Sequence, residues 1–220
     1  MSAEPGTGRD TTSELLADRA YAALRDRIVA LRIPPGAPIN EDALGRELEM
    51  GRTPVREAIK RLALENLVTV FPRRGTFASE INITDLAHIS DVRRQLEGHA
   101  AFRAAERLTG GRRAELDALL ERIDAAPGAS RDELMELDAD IHRFVHRASA
   151  NPYLEETLAR YFNLSLRIWY LVLDRLPHLT ERVREHRALL EAIRDGDAGR
   201  ARAIAADHVG TFATEIRTVL

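Results

Sequence analysis

Residues 51–68, GRTPVREAIKRLALENLV, place Arg52, Arg56 and Lys60 four residues apart on one predicted helix. At about 100° per residue, these three side chains form one edge of that helix, and its apolar face lies about a third of a turn away. That face consists of Val55, Ala58, Ile59 and Leu62. The basic edge therefore stays exposed when the helix packs. On an isolated helix such an edge is usually a solvated stripe, so the flanking sequence must decide its role.

The flanking sequence has the order of a winged helix-turn-helix. A helix over residues 13–31 is ended by three prolines in "RIPPGAPIN", and a short helix over residues 41–49 follows. After the helix at 53–65, two β-rich runs at 68–71 and 76–79 flank Pro72-Arg73-Arg74-Gly75. This pattern predicts a hairpin with glycine where a positive φ is needed. We predict a DNA-binding domain over residues 13–79, preceded by a disordered tail over residues 1–12.

Charge is concentrated in this region. The whole chain carries a formal charge of −3, but residues 51–75 hold six cationic side chains against two acidic ones. A helix fits the major groove of DNA, and arginine can donate to both acceptors of guanine. The candidate DNA-binding residues are Arg52, Arg56 and Lys60 on the helix, with Arg73 and Arg74 in the wing.

Residues 51–79, GRTPVREAIKRLALENLVTVFPRRGTFAS, resemble the signature of the GntR family of bacterial transcription regulators. The resemblance implies that Arg52 and Arg56 contact the operator, and it adds Thr53 and the wing residue Gly75. Two departures stand out. Gly51 replaces the usual small hydroxyl residue, and Glu41-Asp42 opens the second helix where some members carry arginine.

Composition excludes several classes of protein. Without cysteine there are no disulfides and no thiolate metal sites. The first residues, MSAEPGTGRDTT, contain no apolar core, and no run approaches the roughly 18 apolar residues that cross a bilayer. We therefore expect a cytoplasmic protein without a membrane partner.

Residues 84–220 carry helix signals only, which predicts an all-α antiparallel bundle of six helices and a mainly α protein overall. Gly110-Gly111, residues 125–128 and Asp195-Gly196-Asp197 separate helices, and Ser130 with Glu133 forms a capping box. Asn151-Pro152 and Thr180 mark two further starts. We assign effector binding, metal binding and dimerisation to this domain.

Four ionisable residues of this domain lie at or beside faces that are otherwise apolar: Asp138, His142, His186 and His208. Isolated buried ionisable groups are costly, and three helices that carry such groups suggest a shared partner. Three imidazoles and a carboxylate suit a divalent metal, with zinc preferred and nickel, manganese or iron as alternatives. A metal-free structural cluster is the other interpretation. We assign the other histidines to the surface: His88, His99, His146 and His178.

The domain also resembles the FCD ligand-binding domain of the FadR branch of GntR regulators, in its shorter, VanR-like form with six helices. The matching pieces are RRQLEGHAA, DADIH and EHRALLEAIRDGD, together with His208. The resemblance implies the same four metal ligands and a small organic acid as effector. Arg93 points into an apolar face and could bind the carboxylate of that acid. An internal ion pair with Glu97 is the alternative for Arg93.

Together these patterns predict a metabolite-responsive transcription regulator, usually a repressor in such families, rather than an enzyme. A homodimer would match a palindromic double-stranded operator. The rival from another class is an enzyme with a His/Asp metal centre, such as an oxygenase or a hydrolase. No general base at a fixed spacing supports that rival.

Overall fold

A computed structural model of the chain describes residues 7–175 and 178–219. It divides into two compact units. One comprises Met1–Asn82 with Leu166–Leu171, and the other comprises Ile83–Ser165 with Val172–Leu220. The predicted mainly helical fold is confirmed.

Among the described residues, the first unit contains three whole helices, a small sheet and the helical segment Leu166–Leu171. Its elements are α1 (Thr7–Val29), β1 (Pro38–Ile39), α2 (Glu41–Glu47), α3 (Arg52–Leu64), β2 (Val68–Phe71) and β3 (Gly75–Ala78). The apolar faces of α1 and α3 pack on each other and form the core. The fully buried side chains of that core are Ala20, Leu24, Ile28, Val55, Ala58 and Leu62. Because α3 buries this face, its basic edge is left at the surface.

The wing is an antiparallel sheet in the order β1-β3-β2. Phe71 pairs with Gly75 across the hairpin, and Gly75 has a φ of 105°, so glycine stands where the turn needs it. Strand β1 was not predicted. It has two residues, which is too short for an alternating pattern, and its Pro38 lies on an edge strand where no ladder donor is required.

Helix α1 begins earlier than the predicted start at residue 13. Residues 7–12, which were predicted to belong to a disordered tail, form its first turns. Their sequence has no apolar stripe that would predict a helix. However, once a helix is held by tertiary packing, each residue added to its end forms one more backbone hydrogen bond, so the helix can extend. The remainder of the predicted tail, residues 1–6, lies outside the described residues.

The six predicted helices of the second region are α4 (Asp85–Arg107), α5 (Gly110–Asp124), α6 (Arg131–Ala148), α7 (Pro152–Val172), α8 (Leu179–Arg194) and α9 (Ala198–Val219). Their ends follow local chemistry. Ser130 and Glu133 form the reciprocal capping box before α6, and the side chain of Asn151 accepts a hydrogen bond from the amide of Leu154 at the start of α7. A 3-10 turn, Leu173–Arg175, follows α7.

Helix α4 packs along α9 and also against α6, and α8 packs on α9 and α5. Helix α4 lies close to α9 at Gly98, where an added Cβ would lie 3.1 Å from the carbonyl oxygen of Arg202. This arrangement brings α6, α8 and α9, the helices that carry the predicted metal ligands, to one core. Within the described residues, no helix is both long and apolar enough to span a bilayer.

Candidate functional sites

The basic edge of α3 is exposed as predicted from its helical spacing. The side chains of Arg52, Arg56 and Lys60 are 71%, 61% and 70% exposed. Thr53 is exposed beside Arg52 at the start of the helix. This part of the first unit therefore presents three cations and a hydroxyl group on one side of a helix.

Carboxylates neutralise this edge in the absence of nucleic acid. Arg52 Nε lies 2.9 Å from Asp42 Oδ1, and Arg56 Nε lies 3.1 Å from Glu41 Oε2. Lys60 Nζ lies 2.7 Å from Glu57 Oε1 within α3. Acidic residues at the start of α2 are favoured by its dipole, so Glu41 and Asp42 have a local reason to be there. In the sequence these two residues depart from the family pattern, but their partners on α3 cannot be found from the sequence alone.

The wing supplies the second basic surface. Arg73, Arg74 and Gly75 are all exposed at the tip between β2 and β3. The Cζ atom of Arg74 lies 5.7 Å from the centre of the Phe71 ring, which keeps that guanidinium group at the tip by a cation–π contact. The first unit thus has an exposed basic helix and an exposed basic hairpin.

In the second unit, the four predicted metal-ligating residues lie together. One donor atom from each of Asp138, His142, His186 and His208 falls within 4.8 Å of those from the other three. The rings of His186 and His208 have centroids 4.2 Å apart, and His142 lies 5.2 Å from His186. Asp138 and His142 come from α6, His186 from α8 and His208 from α9.

This cluster leaves buried polar atoms without partners. Among the described residues, neither carboxylate oxygen of Asp138 closes a hydrogen bond, and neither ring nitrogen of His186 closes one with another side chain. Asp138 Oδ1 and His186 Nε2 are 3.7 Å apart, beyond hydrogen-bond range. Buried groups of this kind are normally satisfied by protein, water or an ion.

Burial also sets the protonation of the cluster. Desolvation, then the neighbouring His208 and His142, hold the pKa of His186 well below its usual range, against a weaker opposing contact with the Val183 backbone. Burial, then His142, does the same to the pKa of His208. Neutral imidazoles keep a lone pair for a metal, and a carboxylate completes a three-nitrogen, one-oxygen set. The residues present therefore fit a divalent metal.

A second buried group surrounds Glu97 on α4. Its Oε2 lies 2.9 Å from His146 Nε2 and 3.4 Å from His142 Nδ1. Burial alone would raise the pKa of Glu97, but His146, His142 and Arg93 together hold that pKa well below its usual range. The Nδ1 contact leaves Nε2 of His142 as the nitrogen that can act as a metal ligand, the usual arrangement when a carboxylate orients a histidine ligand.

The surface assignment of His146 was wrong. His146 is 1% exposed and hydrogen-bonds Glu97, whereas His88, His99 and His178 are exposed as predicted. The position of His146 one turn after His142 was visible in the sequence. Its partner lies 49 residues away on another helix, so no local pattern pointed to it.

Arg93 is engaged inside the bundle. Its Nη2 donates to Glu97 Oε1 at 2.7 Å and its Nη1 donates to Ser165 Oγ at 2.9 Å. Its Cζ atom also lies 5.1 Å from the centre of the Phe162 ring. The structure therefore contains the internal ion pair that was the alternative for Arg93, which leaves less of this guanidinium group for an effector.

An exposed basic helix beside a basic wing defines a winged helix-turn-helix DNA-binding protein, here joined to a helical domain with a buried histidine cluster. The model of the bacterial regulatory proteins of the gntR family matches residues 16–78, and that of the FCD domain matches residues 88–211. The chain belongs to the GntR family of transcriptional regulators and carries an FCD domain.

Known relatives agree with this assignment. The HTH-type transcriptional repressor RspR of Escherichia coli (strain K12) is 29% identical over 182 residues, which cover 81% of this chain and 79% of RspR. The HTH-type transcriptional regulator McbR of the same strain is 28% identical over 196 residues, 88% of each chain. The solved structure of E. coli McbR/YncC has a similar fold, with a TM-score of 0.80 at 24% identity, covering 92% of this chain and 97% of that one.

Proposed function

We propose that this transcriptional regulator senses a small organic acid through a divalent metal held by Asp138, His142, His186 and His208. The observation that carries the proposal is the buried cluster itself: four donor atoms within 4.8 Å of one another, several of them without hydrogen-bond partners among the described residues. Zinc suits this ligand set best, and nickel, manganese or iron are alternatives.

Operator recognition would use the basic surfaces of the first unit. Arg52 and Arg56 would read bases from α3, with Thr53 and Lys60 beside them. Arg73, Arg74 and Gly75 of the wing would contact the backbone or the neighbouring groove. A homodimer would present two such units to a palindromic operator. Because RspR is a repressor, we propose repression here too, in the bacterial cytoplasm where the operator lies.

The chain's own residues would prepare the metal site. Glu97 orients His142 through Nδ1, and burial keeps His186 and His208 neutral. When bound, the metal would act as a Lewis acid toward a carboxylate oxygen of the effector, which would join the four side chains as a further ligand. An effector that binds one arrangement of the regulator better than another would shift the equilibrium between them and thus change operator affinity.

A metal-free structural cluster is the second candidate. The Glu97 group favours it, because that group shows how this bundle satisfies two buried histidines with a carboxylate alone. His186 has no such carboxylate within hydrogen-bond range among the described residues. The two candidates therefore differ in what surrounds His186.

Elemental analysis of the full chain, purified without chelator or histidine tag, tests the proposal. We expect about one divalent metal per chain in the wild type and a large loss in His186→Ala. His99→Ala, which removes an exposed histidine from α4, is the matched control and should keep the metal. A wild-type protein without metal that is as stable after chelation as before would support the structural cluster instead.

A further inference from the structure

Arg182 on α8 is a buried arginine for which the sequence predicted no role. The residue is 5% exposed and lies one helical turn before His186. Its Cζ atom lies 5.8 Å from the centre of the Phe212 ring, and Phe212 lies one turn after His208 on α9. Arg182 and Phe212 therefore occupy the layer next to the His186–His208 pair, four residues or about 6 Å along the helices.

The guanidinium group of Arg182 is only partly satisfied. Nη1 donates to Glu185 Oε2 at 3.2 Å and reaches Glu215 Oε1 at 3.5 Å. Nε lies 3.4 Å from Glu215 Oε2 without forming a hydrogen bond, and Nη2 has no partner among the described residues. A buried N–H donor of a charged group lowers the stability of the fold when it has no acceptor. The free donors of Arg182 are therefore suited to hydrogen-bond an oxygen of a ligand.

The two buried arginines differ in how far their charge is already neutralised. Arg93 faces Glu97, whose side chain is 2% exposed, and also has the hydroxyl group of Ser165 as a partner. The acidic partners of Arg182, Glu185 and Glu215, have side chains that are 52% and 44% exposed. Solvent screens these two carboxylates, and the inner donors of Arg182 remain free for a ligand.

We propose that Arg182 binds the second carboxylate of a dicarboxylate effector whose first carboxylate lies at the metal site. The proposal rests on the proposed function and names the effector class. Because Arg182 and the His186–His208 pair lie in adjacent layers of the bundle, a short carbon chain can join a carboxylate at each. Arginine recognises such a group by two parallel hydrogen bonds, which makes Arg182 a residue that determines effector specificity.

Calorimetric titration of the zinc-loaded full chain with succinate and with butyrate tests this. The two acids have the same number of carbons, and butyrate lacks the second carboxylate. Wild type should bind succinate at least about tenfold more tightly than butyrate, since only succinate has a second carboxylate that Arg182 can pair with. Arg182→Gln should reduce the ratio to near one, and Arg184→Gln, an exposed arginine of the same helix, should retain it.

Equal affinity of wild type for the two acids would overturn the role of Arg182, and this result does not depend on the folding of any variant. A succinate preference that survives in Arg182→Gln would overturn it as well. Zinc content is measured on the same samples. Bound zinc with equal acid affinities leaves the metal proposal standing, whereas absent zinc together with no binding of either acid removes both.

Discussion

Single carboxylates determine how much unpaired positive charge α3 exposes. Asp42 and Glu41 pair with Arg52 and Arg56 across the turn between α2 and α3. Exposed pairs of this kind are weak, about 0.2–1 kcal/mol, so a phosphate or a guanine can displace them. They still compete with DNA for the same guanidinium groups.

Arg52→Ala and Arg56→Ala should each weaken binding by roughly 1–3 kcal/mol, because each removes a candidate base contact. The measurement is fluorescence anisotropy with a duplex that the wild-type chain has selected from a random pool. Binding should also weaken steeply as the salt concentration rises. Unchanged affinity in both arginine variants would contradict the assignment of α3 as the recognition helix.

Asp42→Asn should strengthen DNA binding several-fold, because it frees Arg52. Asp91→Asn, which changes an exposed acidic residue of α4, is the control.

The exposure or burial of a side chain could be predicted from sequence where it depends only on the helix that carries the residue. The exposed edge of α3 follows from helical spacing alone, and the inward placement of Asp138, His142 and His186 followed in the same way. His146 and Arg182 could not be assigned, because their environments depend on other helices. Glu97 on α4 buries His146, and Phe212 and Glu215 on α9 enclose Arg182.

At the scale of elements, helices with chemical caps were placed within a residue or two. Ser130 with Glu133 and Asn151 with Pro152 fix the starts of α6 and α7 through side-chain hydrogen bonds to free amides. The hairpin was found because Gly75 marks its turn. Strand β1 and the first turns of α1 were missed, since their structure comes from pairing with β3 and from propagation of a packed helix.

The contact of α4 with α9 depends on the absence of a side chain at Gly98. Gly98→Val should destabilise the fold by about 1–3 kcal/mol, because its Cβ would meet the backbone of Arg202 at 3.1 Å and the two helices would have to separate. Urea unfolding measures the change. Gly111→Val in α5, where an added Cβ meets nothing within 4 Å, controls for helix propensity. An equal loss in the two variants would show that packing at Gly98 is loose.

Acid should destabilise the metal-free molecule. Burial holds the pKa of His186 and His208 well below the ordinary value of 6.5. As the pH falls, these two histidines are protonated in the unfolded chain before they are protonated in the folded one, which favours unfolding. The free energy of unfolding should therefore be highest above about pH 6.5 and decrease below it. Each imidazole should therefore contribute a loss of stability between about pH 7.5 and 5.5, since it takes up a proton in the unfolded chain but not in the folded one.

Urea unfolding with a chelator present at those two pH values measures this loss. Burial raises the pKa of Asp138, so protonation of this carboxylate at lower pH would increase the free energy of unfolding and oppose the effect of the histidines. The comparison therefore stops at about pH 5.5. The double variant His186→Asn, His208→Asn should show a smaller dependence on pH. A wild-type stability that stays constant or rises on acidification would contradict the buried neutral state of these two rings.

At the scale of the whole molecule, we propose that α6, α8 and α9 converge on one metal ion. The most direct measurement is anomalous X-ray scattering from crystals of the full chain grown without chelator, with data collected above and below the absorption edge of the metal. We predict one peak per chain bounded by Asp138, His142, His186 and His208. A peak bounded instead by Glu97, His142 and His146, or no peak in crystals of protein supplied with zinc, would contradict the claim.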